Sequence, residues 1–304
     1  MTPLAMSQKT DAYTSVFGLI GDPVCHSLSP QIHGYFAELC GINMVYLPFN
    51  VKCNAVPHAL KGAHALGICG LNVTAPHKED VMPYLANIDP VARQLGAVNT
   101  LLWTKEGYAG YNTDYIGIQR TVKAFGISFY GSTVGIFGAG GTARAACAAA
   151  ASQGAKCVVI INRTRENAVN LARYISTLYS VPAKVFTMGE VNSSVFTHNL
   201  DIVIQTTILG FGKAKDKSPI SCLDFFKSVK LTLDVVYTPW ETVFLRQAKK
   251  SLVPNVVNGF PMLVYQAAAS FNLWREHFFN EGQGINDKEM DGHIKVLESR
   301  IYTG

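Results

Sequence analysis

Gly138, Gly140 and Ala143 stand at the spacing G-x-G-x-x-A, between a β-branched run (Thr133, Val134, Ile136) and an alanine-rich stretch from Ala143 to Ser152. That order reads strand, tight turn, helix, and the chemistry it suits is the binding of a pyrophosphate. Glycines there adopt backbone angles closed to other residues and let amide N–H groups and a helix N-terminus approach the anion. A small third residue lets helix and strand pack closely. A second apolar run, Cys157 to Ile161, ends at Asn162-Arg163-Thr164, where the second strand of a dinucleotide fold meets the adenosine ribose. A carboxylate at that corner suits NAD, whereas a guanidinium holds the 2′-phosphate of NADP. Arg163, with Arg165 close by, predicts NADP, and Glu166 keeps NAD as the alternative. An ordinary surface arginine after a buried strand is the plainer reading.

Five further residues could do chemistry. Ser27 and Ser29 lie between a strand and a helix, and their hydroxyls can face a ligand carboxylate near the helix N-terminus. Equally, Ser29 followed by Pro30 can be no more than a helix cap. Lys78 follows the strand-ending Ala75-Pro76-His77, although a lysine beside Glu79 and Asp80 at a helix start is ordinarily solvated. Asn99 sits in an apolar run and is either a satisfied structural amide or a ligand contact. Asp114 after Thr113 is either a functional carboxylate or an N-cap.

The elements that must position these residues alternate. Strands are predicted at Ser15–Ile20, Tyr46–Val51, Gly70–Thr74 and Ala97–Trp103, with helices from Ser29 to about Cys40, Ala55 to Leu66, Asp89 to Leu95 and Tyr115 to Phe125. Beyond Arg163 a helix runs to about Leu178, followed by strands at Ala183–Phe186, Leu200–Ile204 and Leu231–Val235 and a long helix from Met262 to Phe279. Gln205 to Gly210 forms a strand-end loop facing the cofactor. Strands alternating with helices argue for an α/β protein with a doubly wound parallel sheet.

Composition narrows the function classes. The 304 residues are enough for two domains, and 48% hydrophobic with 15% charged residues describes a globular chain. A net charge of +5 without a Lys/Arg block argues against nucleic acid as a partner and fits small anionic ligands. The start, MTPLAMSQKTDAY, lacks a basic segment leading into an apolar one, and no run approaches a membrane span, so a cytoplasmic protein is expected. Seven cysteines without C-x-x-C read as reduced, buried thiols, and the eight histidines form no ligand-spaced pair, so no metal site is expected.

Taken together the motifs resemble the shikimate dehydrogenase family over nearly the whole chain: HSLSP at His26–Pro30, NVTAPHK at Asn72–Lys78, GAVNT at Gly96–Thr100, GYNTD at Gly110–Asp114, GAGGTAR at Gly138–Arg144, NRT at Asn162–Thr164, D-x-x-Y-x-P at Asp234–Pro239 and MLVYQAA at Met262–Ala268. The resemblance implies a discontinuous α/β substrate domain, residues 1–115 completed by 259–304, beside a Rossmann-like NADP-binding domain, residues 116–258. It implies that Lys78 and Asp114 are the catalytic pair. Ser27 and Ser29 would hold the substrate carboxylate, Thr74, Asn99 and Gln266 its hydroxyls, and Tyr237 and Asp114 would line the same site. The cofactor would meet Gly138, Ala139, Gly140, Gly141, Thr142, Asn162, Arg163, Thr164, Val235 and Gly259.

The implied reaction is the reversible NADPH-dependent reduction of 3-dehydroshikimate to shikimate by a monomer or homodimer. A ketone reduced by hydride must gain a proton, which a lysine ammonium beside a carboxylate can supply. A quinate/shikimate dehydrogenase using NAD or NADP is the near alternative, and a non-catalytic ligand sensor on the same scaffold the distant one. The chain departs from the family pattern at Gly34, Gln205, Pro261 and Asn167, the last standing where many members carry a second phosphate-binding arginine.

Overall fold

The computed structural model describes residues 10–193, 196, 198–279 and 284–302; the first nine residues, part of the MTPLAMSQKTDAY segment read above, lie outside them. The chain divides into two compact units, Met1–Thr113 with Ala267–Gly304, and Asp114–Gln266. In chain order the elements are β1 (Ser15–Gly21), α1 (Ser29–Cys40), β2 (Met44–Asn50), α2 (Val56–Ala65), β3 (Gly70–Val73), β4 (Asn87–Ile88), α3 (Pro90–Leu95), β5 (Thr100–Thr104) and β6 (Gly107–Tyr111). There follow α4 (Asp114–Ala124), β7 (Thr133–Phe137), α5 (Gly141–Ser152), β8 (Cys157–Ile161), α6 (Arg165–Tyr179), β9 (Ala183–Phe186), α7 (Met188–Val191) and β10 (Ile202–Gln205). The remainder is β11 (Leu231–Asp234), α8 (Val243–Lys250), β12 (Asn255–Val257), α9 (Phe260–Phe278) and α10 (Met290–Tyr302).

In the first unit the strand order is β2-β1-β3-β5-β6-β4. β1 runs parallel to β2 and β3, while β5 runs antiparallel to both β3 and β6. One edge of this sheet therefore collects the C-terminal ends of β1, β3 and β6 and the N-terminal end of β5. The segments after β1, after β3, before β5 and after β6 carry Ser27, Lys78, Asn99 and Thr113. Behind that edge lies an aromatic core in which Phe17 on β1 meets Trp274 on α9 at 5.0 Å between centroids. The Trp274 Nε1–H donates to the Leu101 carbonyl at 2.9 Å, and the ring lies over Gly70, where a Cβ would fall 2.3 Å from Nε1.

In the second unit every strand pairing is parallel and the order is β12-β11-β10-β7-β8-β9. The chain starts in the middle, winds outward through β8 and β9, and returns to fill the other side from β10. A crevice opens where the winding reverses, beyond the carboxyl ends of β7 and β10, and ligands of such sheets bind there. α5 can lie close on β7 and β8 because its buried face is Ala143, Ala145, Ala146, Ala149 and Ala150, packed with Ile136, Val158 and Ile160.

Candidate active site

At the polar edge of the first sheet, backbone bonds tie the chemistry-bearing segments together. The Val73 N–H donates to the Asn99 carbonyl at 2.8 Å, the Asn99 N–H to the Tyr111 carbonyl at 3.0 Å, and the Val98 N–H to the Lys78 carbonyl at 2.8 Å. The Asn99 side chain is fixed by its neighbours: its Oδ1 accepts the Thr113 N–H at 2.7 Å and the Thr100 hydroxyl at 3.0 Å, and its Nδ2 donates to Thr113 Oγ1. Asn99 is 2% exposed, so these bonds hold its amide in one orientation.

Beneath Asn99 lies a polar network to which sequence reasoning assigned no role. Asn72 Nδ2 donates to the Asn99 carbonyl, Thr100 Oγ1 and Ser270 Oγ, and its Oδ1 accepts the Tyr46 hydroxyl at 2.7 Å. Thr100 and Thr113 also meet the Ser270 hydroxyl, at 2.7 and 3.1 Å. Burial raises the Tyr46 phenol well above its ordinary range, and a hydrogen bond with the Ser29 side chain opposes that shift. Asn72 within NVTAPHK and Thr113 within GYNTD were the available signals. Ser270 could be placed only by the fold, one turn of α9 beyond Gln266.

Several expectations need correction. Ser29 does not cap α1: Leu28 holds the cap position with helical angles, φ −85 and ψ −5, its side chain makes no capping bond, and Ser29 is already helical. Its N–H instead donates to Ser27 Oγ at 3.2 Å, so the two serines are coupled. Lys78 starts no helix; residues 75–81 are turn, because the Lys78 carbonyl is taken by Val98 and cannot continue an i to i+4 ladder. Nor are the thiols mostly buried: Cys147 alone of the seven is buried, and Cys25, Cys53 and Cys222 are exposed. Apolar sequence neighbours misled there, since Cys25, Cys53 and Cys222 lie outside the strands and α-helices, on connecting segments at the surface. Thr74 and Lys78 are half-buried, and Asp114, 4% exposed, is the first residue of α4.

The nucleotide-binding features belong to the second unit. Gly138, directly after β7, has φ +115, and a Cβ there would lie 2.5 Å from Thr206 Oγ1 after β10, at the reversal of winding. A Cβ on Gly140 would meet nothing within 4 Å, and Gly140 caps α5 with no side-chain bond. The open space at Gly140 and the first turn of α5, uncapped by any side chain of the cap residue, fit a pyrophosphate. After β8, Asn162 Nδ2 folds back to the Thr164 carbonyl at 2.9 Å, and Thr164 caps α6 with no side-chain bond. Arg163 is exposed at that corner. Arg165 points elsewhere: its guanidinium grips Glu190 at 2.8 and 3.0 Å. The residues present therefore fit a dinucleotide with a 2′-phosphate on Arg163.

Gly259 and Val235 are pressed together, since a Cβ on Gly259 would lie 2.1 Å from the Val235 carbonyl oxygen. Gln205, expected to face the cofactor, is buried and builds its own loop: Oε1 accepts the Thr207 N–H, and Nε2 donates to the Thr207 and Leu209 carbonyls. Next to it Asp234 accepts the Thr242 hydroxyl at 2.6 Å and the Val236 N–H at 3.1 Å, while burial pushes its carboxyl up to about 7. Tyr237 is half-buried, and the Gln266 Nε2 donates to the Leu263 carbonyl at 2.9 Å. Pro261 is tolerated because it occupies the second residue of α9, where no N–H is needed. Among the described residues no helix is long and apolar enough to cross a membrane.

Comparison with known proteins agrees in both units. Residues 19–101 match the family described as the shikimate dehydrogenase substrate binding domain, and residues 120–209 match shikimate / quinate 5-dehydrogenase. Shikimate dehydrogenase (NADP(+)) of Caldanaerobacter subterraneus subsp. tengcongensis is 40% identical over 273 residues, covering 90% of this chain and 96% of that one. A crystal structure of shikimate 5-dehydrogenase from Thermus thermophilus with NADP(H) and shikimate is 30% identical, with a TM-score of 0.78 over 93% of this chain and 100% of that one. The shikimate 5-dehydrogenase of Listeria monocytogenes, with shikimate and NAD, is 27% identical with a TM-score of 0.81 over 94% and 98%.

Proposed function

The chain belongs to the shikimate dehydrogenase family, and on that premise we propose that it catalyses the reversible NADPH-dependent reduction of 3-dehydroshikimate to shikimate. The observation that carries this reading is the single sheet edge holding Ser27, Ser29, Thr74, Lys78 and Asn99. The first unit takes the substrate role and the second the NADP role. Ser27 and Ser29 hold the substrate carboxylate as a hydrogen-bonded pair; Thr74, Asn99, Gln266 and Tyr237 receive its hydroxyls and flank.

NADPH, when bound, supplies the hydride. The chain's own task is the proton: as the ketone carbon is reduced, its oxygen gains charge and takes a proton from Lys78 Nζ, with the Asp114 carboxylate keeping the ammonium oriented. In the reverse direction the same groups remove the alcohol proton. Gly138, Ala139, Gly140, Gly141 and Thr142 cradle the pyrophosphate, Asn162, Arg163 and Thr164 the ribose phosphate, and Val235 and Gly259 the remainder of the cofactor. The enzyme works in the cytoplasm as a monomer or homodimer.

Initial rates in four mixtures, shikimate or quinate each with NADP or NAD, test the assignment. A dominant rate with shikimate and NADP is expected. Faster turnover of quinate, or of NAD, would refute it.

A further inference from the structure

Outside the sites described above, one cluster brings together a thiol, an imidazole and a carboxylate. Cys53 Sγ, a ring nitrogen of His77 and a carboxylate oxygen of Asp80 lie within 4.8 Å of one another. Cys53 follows β2, and His77 and Asp80 sit in the turn after β3, so two parallel strands flanking β1 deliver them to the same edge of one sheet.

His77 is the informative member. Its ring is fully buried, and Nε2 lies 2.6 Å from the Val51 carbonyl, a bond only a protonated Nε2 can donate. Of the two neutral tautomers, that bond selects the one in which Nδ1 carries a lone pair. Nδ1 is buried without a hydrogen-bond partner and faces Asp80 Oδ2 at 3.6 Å. A buried acceptor left unpaired costs about 1–3 kcal/mol, so such an atom ordinarily has a ligand. An imidazole that donates one N–H to a backbone carbonyl while offering the other nitrogen is the usual state of a metal-ligating histidine.

We propose that Cys53, His77 and Asp80 bind a divalent cation of the zinc class, with water as the fourth ligand. Thiolate, imidazole and carboxylate together favour zinc over magnesium or calcium, which take all-oxygen sets. Tetrahedral zinc places its ligand atoms roughly 3.5 Å apart; the His77–Asp80 separation of 3.6 Å already meets this. Cys53 is exposed and Asp80 half-exposed, so rotation of their side chains closes the rest. On coordination the Cys53 thiol gives its proton to solvent and its sulfur forms the metal bond.

The test uses chelator-stripped full-length protein titrated with zinc against a chromogenic competitor, and with cobalt to read the thiolate-to-metal absorption band. One ion per chain and a cobalt–thiolate band are expected. Cys53→Ser should abolish the band and weaken zinc at least tenfold, and Asp80→Asn should weaken zinc while keeping the band; both should retain metal-free turnover and wild-type Tm. No stoichiometric binding, or affinity unchanged in both variants, would overturn the site.

Discussion

The Lys78 carbonyl accepts the Val98 N–H at 2.8 Å, which bolts the turn carrying the proposed proton donor to the residue preceding Asn99. The bond is made by backbone, so it survives any change of the Lys78 side chain. The backbone at Lys78 and the segment carrying Asn99 therefore belong to one hydrogen-bonded unit, which a change of the Lys78 side chain leaves in place.

Lys78→Ala should lower kcat roughly 10²- to 10⁴-fold, the usual contribution of a positioned acid or base, with a much smaller effect on KM for shikimate. Steady-state rates together with a shikimate binding titration check this. A variant that turns over at the wild-type rate would remove Lys78 from the reaction.

Arg163→Ala should raise KM for NADP roughly 10- to 100-fold, equivalent to about 1.5–3 kcal/mol of charge-assisted hydrogen bonding, and leave KM for NAD nearly unchanged. The contrast between the two cofactors is the measurement that matters. Arg165→Ala, whose guanidinium is committed to Glu190, should not change the ratio.

How much of this was legible in the sequence follows from how local each feature is. The turn at Gly138 to Gly141 and the strand Cys157–Ile161 needed only short-range signals, glycine angles and β-branched runs. The turn at Lys78 was not legible, because what stops a helix there is a carbonyl bonded to Val98, twenty positions away in sequence by direct count from 78 to 98. The same holds for Arg165, which the sequence sets beside the ribose corner but which Glu190 on α7 draws away. The short strands β4 and β12 and the terminal helix α10 also escaped; two or three residues of strand carry no period. Ser270, Asn72 and Thr113 meet only when α9 covers the first sheet, as do Cys53 and His77 when β1, β2 and β3 align.

Gly259→Ala should destabilise by about 1–3 kcal/mol, the range for overpacking, because the added methyl meets the Val235 backbone rather than a movable side chain. Calorimetry should show Tm lower by several degrees, and the displaced strand end should weaken NADP binding as well. An unchanged Tm would mean that this close approach is relaxed at no cost.

His33 gives the pH dependence a definite sign. It stacks on Tyr46 at 4.3 Å within a ring of Phe36, Phe271 and Trp274, and burial depresses its pKa from 6.5 to about 3. The folded chain therefore keeps His33 neutral while the unfolded chain takes up a proton below about 6.5. With more protons on the unfolded state, the free energy of unfolding falls as pH drops from about 6.5 towards 3, by at most about 1.4 kcal/mol per pH unit from this group. His33→Phe keeps a ring of similar shape in the aromatic cage and has nothing to protonate. Urea denaturation at pH 7, 6 and 5 should show the wild type losing stability more steeply than the variant, with the gap opening only below about pH 6.5. Equal slopes for the two proteins would show that the buried imidazole is protonated in the fold as readily as in the unfolded chain.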